Sequence, residues 1–155
     1  MKIIKAGFFL LLICTFIHCK RSTIPEDIDF KQEMRHFVQD LSSWAKTIKP
    51  DFIIIPQNGE QLATENGETT GLPKIDYLSA IDGQGREDLF YGYDRDDQAT
   101  SQGEISYMTS FLDIQEANGV EVLVTDYCYS QAKIDDSYQR NNERSYISFS
   151  APDRE

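Results

Sequence analysis

Three short apolar runs, each ending in polar or acidic groups, constrain the fold of this chain more than any other feature. They are Phe52-Ile53-Ile54-Ile55 leading into Pro56-Gln57-Asn58-Gly59-Glu60, Ala80-Ile81 leading into Asp82-Gly83-Gln84-Gly85-Arg86-Glu87-Asp88, and Val122-Leu123-Val124-Thr125 leading into Asp126-Tyr127. Each run is too short for a core helix and rich in β-branched residues, so it reads as a strand buried on both faces. In an α/β sheet or barrel the loops after the strands gather on one side, and chemistry is usually found there. An amide pair, several carboxylates and a tyrosine fall at these strand ends.

Helical patterns separate the runs. Phe30, Met34, Phe37, Val38, Leu41, Trp44, Ala45 and Ile48 recur in steps of three and four and predict one amphipathic helix, with Trp44 in the core. Asp29 is placed to cap it and Lys49-Pro50 to end it. Residues 64–73, rich in Gly, Thr, Glu and Asn, predict an exposed loop, and Tyr77 to Ile81 leads into the second strand. Residues 92–103 predict a second polar loop, whose Asp94, Asp96 and Asp97 lack the spacing of a calcium loop and read as solvated. Ser101-Gln102-Gly103-Glu104 is a capping box for a helix running to about Asn118 and stopping at Gly119. A strand over 120–125, a helix over 133–142 and a last strand over 146–149 complete an α/β alternation with parallel pairing.

The N-terminus has a different character. Lys2 and Lys5 precede an apolar stretch from Ala6 to Ile17, the pattern of a secretory signal peptide and too short for a comfortable permanent span. Residues 1–19 are therefore expected to direct export, with Cys19 placed as the acylated cysteine of a lipoprotein, although Phe16-Ile17-His18 fit the usual small-residue motif before it poorly. Residues 20–29 read as a tether and 30–155 as the folded part. The whole chain carries a formal charge of -11, and cleavage before Cys19 would remove Lys2 and Lys5. Acidity of that size argues against nucleic acid as a partner. Cys14 and Cys19 fall in the leader, which leaves Cys128 without a cysteine to pair with. His36 stands alone on a helix, so no metal site and no cofactor are expected. No nucleophile elbow, phosphate loop or complete dinucleotide loop is present either.

The strand-end residues suit carbohydrate chemistry. Glycoside hydrolysis needs two carboxyl groups, one to protonate the leaving oxygen and one as base or nucleophile. Asp82, Glu87 and Asp126 are the candidates; Asp126 ends the most apolar run, where partial desolvation would tune it, and Arg86 neighbours Glu87. Gln57 and Asn58 offer donors and acceptors for sugar hydroxyls, and Phe90, Tyr91 and Tyr127 offer faces for sugar rings. Asn58-Gly59 and Asp82-Gly83 also read as simple turn formers. Spacing does not choose the carboxylate pair.

The three motifs in this order, with Leu89-Phe90-Tyr91 after the second and Tyr146-Ile147-Ser148-Phe149 and Asp153-Arg154-Glu155 at the end, resemble glycoside hydrolase family 114 over about residues 30–155. That family comprises the endo-α-1,4-polygalactosaminidases and their relatives, on a TIM-barrel domain. The resemblance implies an exported hydrolase of α-1,4-linked galactosamine polysaccharide. Glu87 and Asp126 are then the candidate catalytic groups, with Gln57, Asn58, Asp82, Arg86 and Tyr127 lining the substrate. The departure is in length. A full barrel takes roughly 250 residues and eight strands, so this chain is expected to form the C-terminal half of one, a partial TIM barrel of parallel strands. The family's first half, with its own acidic strand ends, has no counterpart here. Polysaccharide, a membrane reached through Cys19, and a second chain or second copy completing the barrel are the expected partners; a non-catalytic sugar-binding lipoprotein, or a non-functional fragment, is the alternative.

Overall fold

The computed structural model describes residues 28–154. The expected leader with Cys19, and residues 20–27 of the tether, lie outside the described residues.

The first helix, α1 (Phe30–Ile48), forms with the bounds its caps dictate: Asp29 Oδ1 accepts the Gln32 N–H at 3.1 Å, and Lys49 closes the last turn on the Ala45 carbonyl. Its burial differs from the sequence pattern. Arg35, Val38, Ser42 and Ala45 face inward, while Phe37, Leu41 and Ile48 are exposed and Trp44, expected in the core, is 65 % exposed. The cause is positional, because no described element lies beyond α1 for the rest of the stripe to cover. Arg35 is fully buried and bonds the carbonyls of Leu62 (3.0 Å) and Thr64 (2.6 Å), which fixes the 3₁₀ turn Glu60–Ala63 against α1.

The chain then runs extended through residues 52–57. The Asp82 and Gly83 N–H groups donate to the Ile54 carbonyl, Gly85 N–H to Pro56 and Asn58 N–H to Gly85, a parallel pairing with a bridge at Gln57–Gly85. Regular strand is interrupted because Pro56 has no N–H to complete the ladder. Only Ile54 of the run 52–55 is buried, so the expected burial on both faces does not hold.

The second strand is displaced from its expected place. Tyr77 and Leu78 belong to a short helix α2 (Ile75–Leu78), and strand β1 is Gly83–Glu87, the polar stretch read above as a strand end. Its glycines have a packing reason. A Cβ on Gly83 would lie 2.9 Å from Leu123 Cδ1, and one on Gly85 would lie 2.1 Å from Gln57 Oε1.

Ser101 caps α3 (Gln102–Ala117) by accepting the Glu104 N–H at 3.3 Å, and Gly119 leaves it with φ +81°. Strand β2 (Glu121–Tyr127), helix α4 (Gln131–Asn142) and strand β3 (Ile147–Ala151) follow. The strands form a three-stranded parallel sheet in the order β1-β2-β3, with Gly85 opposite Leu123 and Leu123 opposite Ile147. The parallel α/β architecture is as expected.

All helices cover one face of this sheet. Val122 and Val124 pack with Ile105, Met108 and Leu112 of α3 and with Ile134 of α4, while Ile54 packs with Val38 and Ala45 of α1. Alternation along the strands sends Ile55, Gln57, Glu87, Leu123, Thr125, Tyr127, Ile147 and Phe149 to the opposite face. No described element covers it: Ile147 and Phe149 are 56 % and 59 % exposed.

Candidate functional site

The site lies where the uncovered face meets the C-terminal ends of the strands. Glu87 ends β1 and Tyr127 ends β2, and both project to the uncovered face because they stand in phase with Gly85 and Leu123. The Tyr127 hydroxyl donates to Glu87 Oε1 at 3.3 Å. Burial, reinforced by the Glu87 carboxylate, raises the Tyr127 pKa, so the phenol stays a donor. Gln57, on the neighbouring segment, lies on the same face two residues back along β1, its amide over Gly85. Of the expected residues, Glu87 and Tyr127 are thus in contact, and Gln57 lies on the same face beside Gly85.

Arg154 builds the wall behind them. It donates to Asp88 Oδ1 at 2.8 Å, to Asp96 Oδ1 at 2.8 Å and to the Gly92 carbonyl at 2.8 Å, and its guanidinium lies 3.9 Å from the Tyr127 ring centroid. The Asp88 carboxylate, with Asp96, raises the Arg154 pKa further. Gly92 has φ +113°, and a Cβ there would come within 2.6 Å of Asp88 Oδ1 and 3.0 Å of Tyr127 Cβ. Neither Arg154 nor Asp88 was singled out from sequence as a site residue. Their signal was available, since each immediately follows or lies just beyond a strand, on the rim where Glu87 was sought.

The other expected site residues are elsewhere. Asp126 alternates with Val122 and Val124 and points to the helical face, where it is fully buried. Its Oδ1 accepts the N–H groups of Phe90 (2.8 Å) and Tyr91 (3.2 Å), and its Oδ2 accepts from Ser137 Oγ (2.7 Å) and Asn141 Nδ2 (3.3 Å). It therefore ties the loop after β1 to α4 and has no access to the site. Burial pushes its pKa up, against these four hydrogen bonds.

Asp82 sits at the opposite end of β1, bonded to the Ile54 N–H (2.8 Å) and to Lys46 Nζ (3.0 Å). Burial works to raise its pKa, but those two partners outweigh it and leave it lowered. Arg86 also faces the helical side, 3.3 Å from the buried Glu60 carboxylate. Asn58 is a turn residue with φ +57°, its carbonyl accepting from Gln84 Nε2 at 3.0 Å. None of these four lines the site with Glu87.

The aromatic faces are not free either. Phe90 and Tyr91 are buried, with Arg140 4.1 Å from the Phe90 ring centroid and Asp136 on the Tyr91 hydroxyl. The acidic triplet is not simply solvated: Asp97 accepts the N–H groups of Tyr129 (3.1 Å) and Ser130 (2.9 Å), organising the start of α4, and Asp96 holds Arg154. Among the described residues no group of three or more His, Cys, Asp or Glu side chains is arranged to hold a metal ion, and no helix is long and apolar enough to cross a membrane.

The site as built offers one carboxylate held by a phenol, one amide and a guanidinium. Such a set has donors and acceptors of the kind that hydrogen-bond hydroxyl groups.

No family model matches the chain. The uncharacterized protein MJ1477 of Methanocaldococcus jannaschii is similar to it, 34 % identical over 143 residues that cover 90 % of this chain. The chain spans 38 % of the length of that relative.

Proposed function

We propose that this chain carries part of a carbohydrate-active site of the glycoside hydrolase type, set at the mouth of a partial parallel barrel. The observation that carries the reading is the Glu87–Tyr127 pair, at the C-terminal ends of adjacent parallel strands and on the face away from the helices. In a closed barrel that face is the interior and that end is where chemistry sits. The ordered motifs around Gln57, Glu87 and Tyr127 support α-1,4-linked galactosamine polysaccharide as the substrate class. A polymer bearing free amines is cationic, and the formal charge of -11 favours its approach.

In the proposed reaction Glu87 supplies one of the two carboxyl groups, Tyr127 orients it, and Gln57 holds a sugar hydroxyl on the same face. Asp88 is engaged by Arg154, so the second carboxyl group would come from another chain or from outside the described residues. Export, with acylation at Cys19, belongs to the same proposal and rests on the pattern of residues 1–19. The test is release of reducing ends from galactosamine polysaccharide by the full chain and by Glu87→Gln. Activity in the parent and a loss of at least 100-fold in the variant supports hydrolysis.

A non-catalytic sugar-binding role is favoured by one observation, that the site holds a single carboxylate outside an ion pair, Glu87. It predicts binding without turnover and near-equal affinity for Glu87→Gln. No binding and no turnover by the full chain would refute both readings.

A further inference from the structure

We infer that a second copy of this chain docks on the uncovered sheet face and its two edges, so that the two sheets close into one eight-stranded parallel barrel. The first ground is the edge along residues 52–57. Residues 54, 56 and 58 turn their backbone groups to β1. Ile53, Ile55 and Gln57 therefore present theirs outward, without a hydrogen-bond partner among the described residues. On the other edge Cys128 N–H donates to the Ala151 carbonyl, so Ala151, Phe149 and Ile147 turn their backbone toward β2 and Ser148 and Ser150 turn theirs outward, where the Ser150 N–H donates to the Tyr138 hydroxyl at 3.3 Å, a bond that pairing with a second copy would replace. Two such parallel edges match when a twofold axis runs along the barrel, since that symmetry keeps every strand pointing the same way.

The second ground is the helix inventory. Each of the four strand segments follows a helical one: α1 precedes residues 52–57, α2 precedes β1, α3 precedes β2 and α4 precedes β3. Two copies then supply eight strand segments from the described residues, each preceded by an α-helix. The position of α1 fits this arrangement. Phe37 and Leu41 of α1, with Ile53, Ile55 and Pro56, line a groove of about 300 Å³ beside the free edge. A strand laid in that groove would pair with residues 53–57 and be roofed by α1. The β3 of the other copy suits the slot, because its helix-side residues are the small Ser148 and Ser150 while Ile147 and Phe149 turn into the barrel.

The third ground is area. Phe37, Leu41, Ile53, Ile55, Ile147 and Phe149 are 43–64 % exposed. At roughly 100 Å² from each, with the strand backbone added, each partner approaches the ~800 Å² of a stable interface. Apolar surface of this extent at both edges of a sheet is rarely left open in a folded protein. One consequence rests on the proposed function: the closed mouth would carry two Glu87–Tyr127 pairs, and the partner's Glu87 would be the second carboxyl group that hydrolysis needs.

The experiment is sedimentation of the full chain, read together with hydrogen exchange at the edge amides; neither depends on activity, so a failed sugar assay leaves the inference standing or falling by itself. The expected result is a dimer mass with slow exchange at Ile53, Ile55 and Gln57. Phe149→Glu should yield monomer with fast exchange there, and Leu72→Ser, in the 64–73 loop, should remain a dimer. A monomer with fast edge exchange overturns the inference. So does a dimer with fast edge exchange, which would place the contact elsewhere. Slow exchange in a monomer also overturns it, because a segment of the same chain would then cover the edge. If Phe149→Glu does not fold, the mass and exchange of the parent chain still decide.

Discussion

Replacing Asp126 with alanine tests the largest reassignment that the structure makes. The carboxylate accepts four hydrogen bonds, two from the Phe90 and Tyr91 N–H groups and two from Ser137 and Asn141, all inside the protein. Alanine leaves two backbone donors without a partner and no room for bulk water to replace the carboxylate oxygens freely. An orphaned buried donor costs about 1–3 kcal/mol, so the two N–H groups alone predict about 2–6 kcal/mol. The Ser137 hydroxyl can rotate and the Asn141 amide keeps its bond to the Ser137 carbonyl, so their added cost is small. The total is a large part of the ~5–15 kcal/mol that stabilises a typical domain. Asp126→Asn should cost less, because its carbonyl oxygen still receives both backbone N–H groups. Urea unfolding of the three proteins, followed by circular dichroism, measures the differences. An alanine variant within about 0.5 kcal/mol of the parent would refute the reasoning, since it would mean the loop after β1 and α4 are not held through this residue.

Further consequences concern the site wall and pH. Gly92→Ala should separate Arg154 from Asp88 and Tyr127, because the new methyl meets Asp88 Oδ1 at 2.6 Å in a backbone conformation that alanine tolerates poorly; a loss of about 1–3 kcal/mol in the same unfolding assay is expected. Asp82 has a lowered pKa in the folded state, so its contribution to stability is present above the ordinary carboxylate pKa near 3.8 and is lost as pH falls through the lowered value. Asp82→Asn should accordingly flatten the acid limb of the stability profile. Tyr91 is pushed up to about 12 by burial and by Asp136, which places its contribution fully below pH 10 and makes it disappear between pH 10 and 12. Tyr91→Phe should reduce that alkaline loss, read from melts taken across the range.

The parts of the fold legible in the sequence were those with local signals. Asp29 and Ser101 fixed where α1 and α3 begin, and Gly119 fixed where α3 ends, because a cap is a contact between near neighbours. β1 was misplaced because its buried character is borrowed: Gly83 and Gly85 are buried by Leu123 and Gln57, which no local pattern in Gly-Gln-Gly-Arg-Glu encodes. The expectation of strands buried on both faces also hid the alternation that separates Asp126 from Glu87 and Tyr127. Once one face is known to be uncovered, counting by twos along β2 puts Asp126 with Val122 and Val124 and puts Tyr127 with Leu123. Ser137 and Asn141, four residues apart on α4, were the polar partners waiting for it. The exposure of Trp44 has the same origin, since helical periodicity marks an apolar face without saying which part of it a neighbour covers.

The most direct test of the carbohydrate site is a titration of the full chain with an α-1,4-linked galactosamine oligosaccharide, followed by backbone amide chemical shifts. Shifts should concentrate at Gln57, Gly85, Glu87, Gly92 and Tyr127, while Ser137 and Asn141 on the helical face stay unmoved. Shifts confined to the helical face, or none at saturating sugar, would contradict the proposed site.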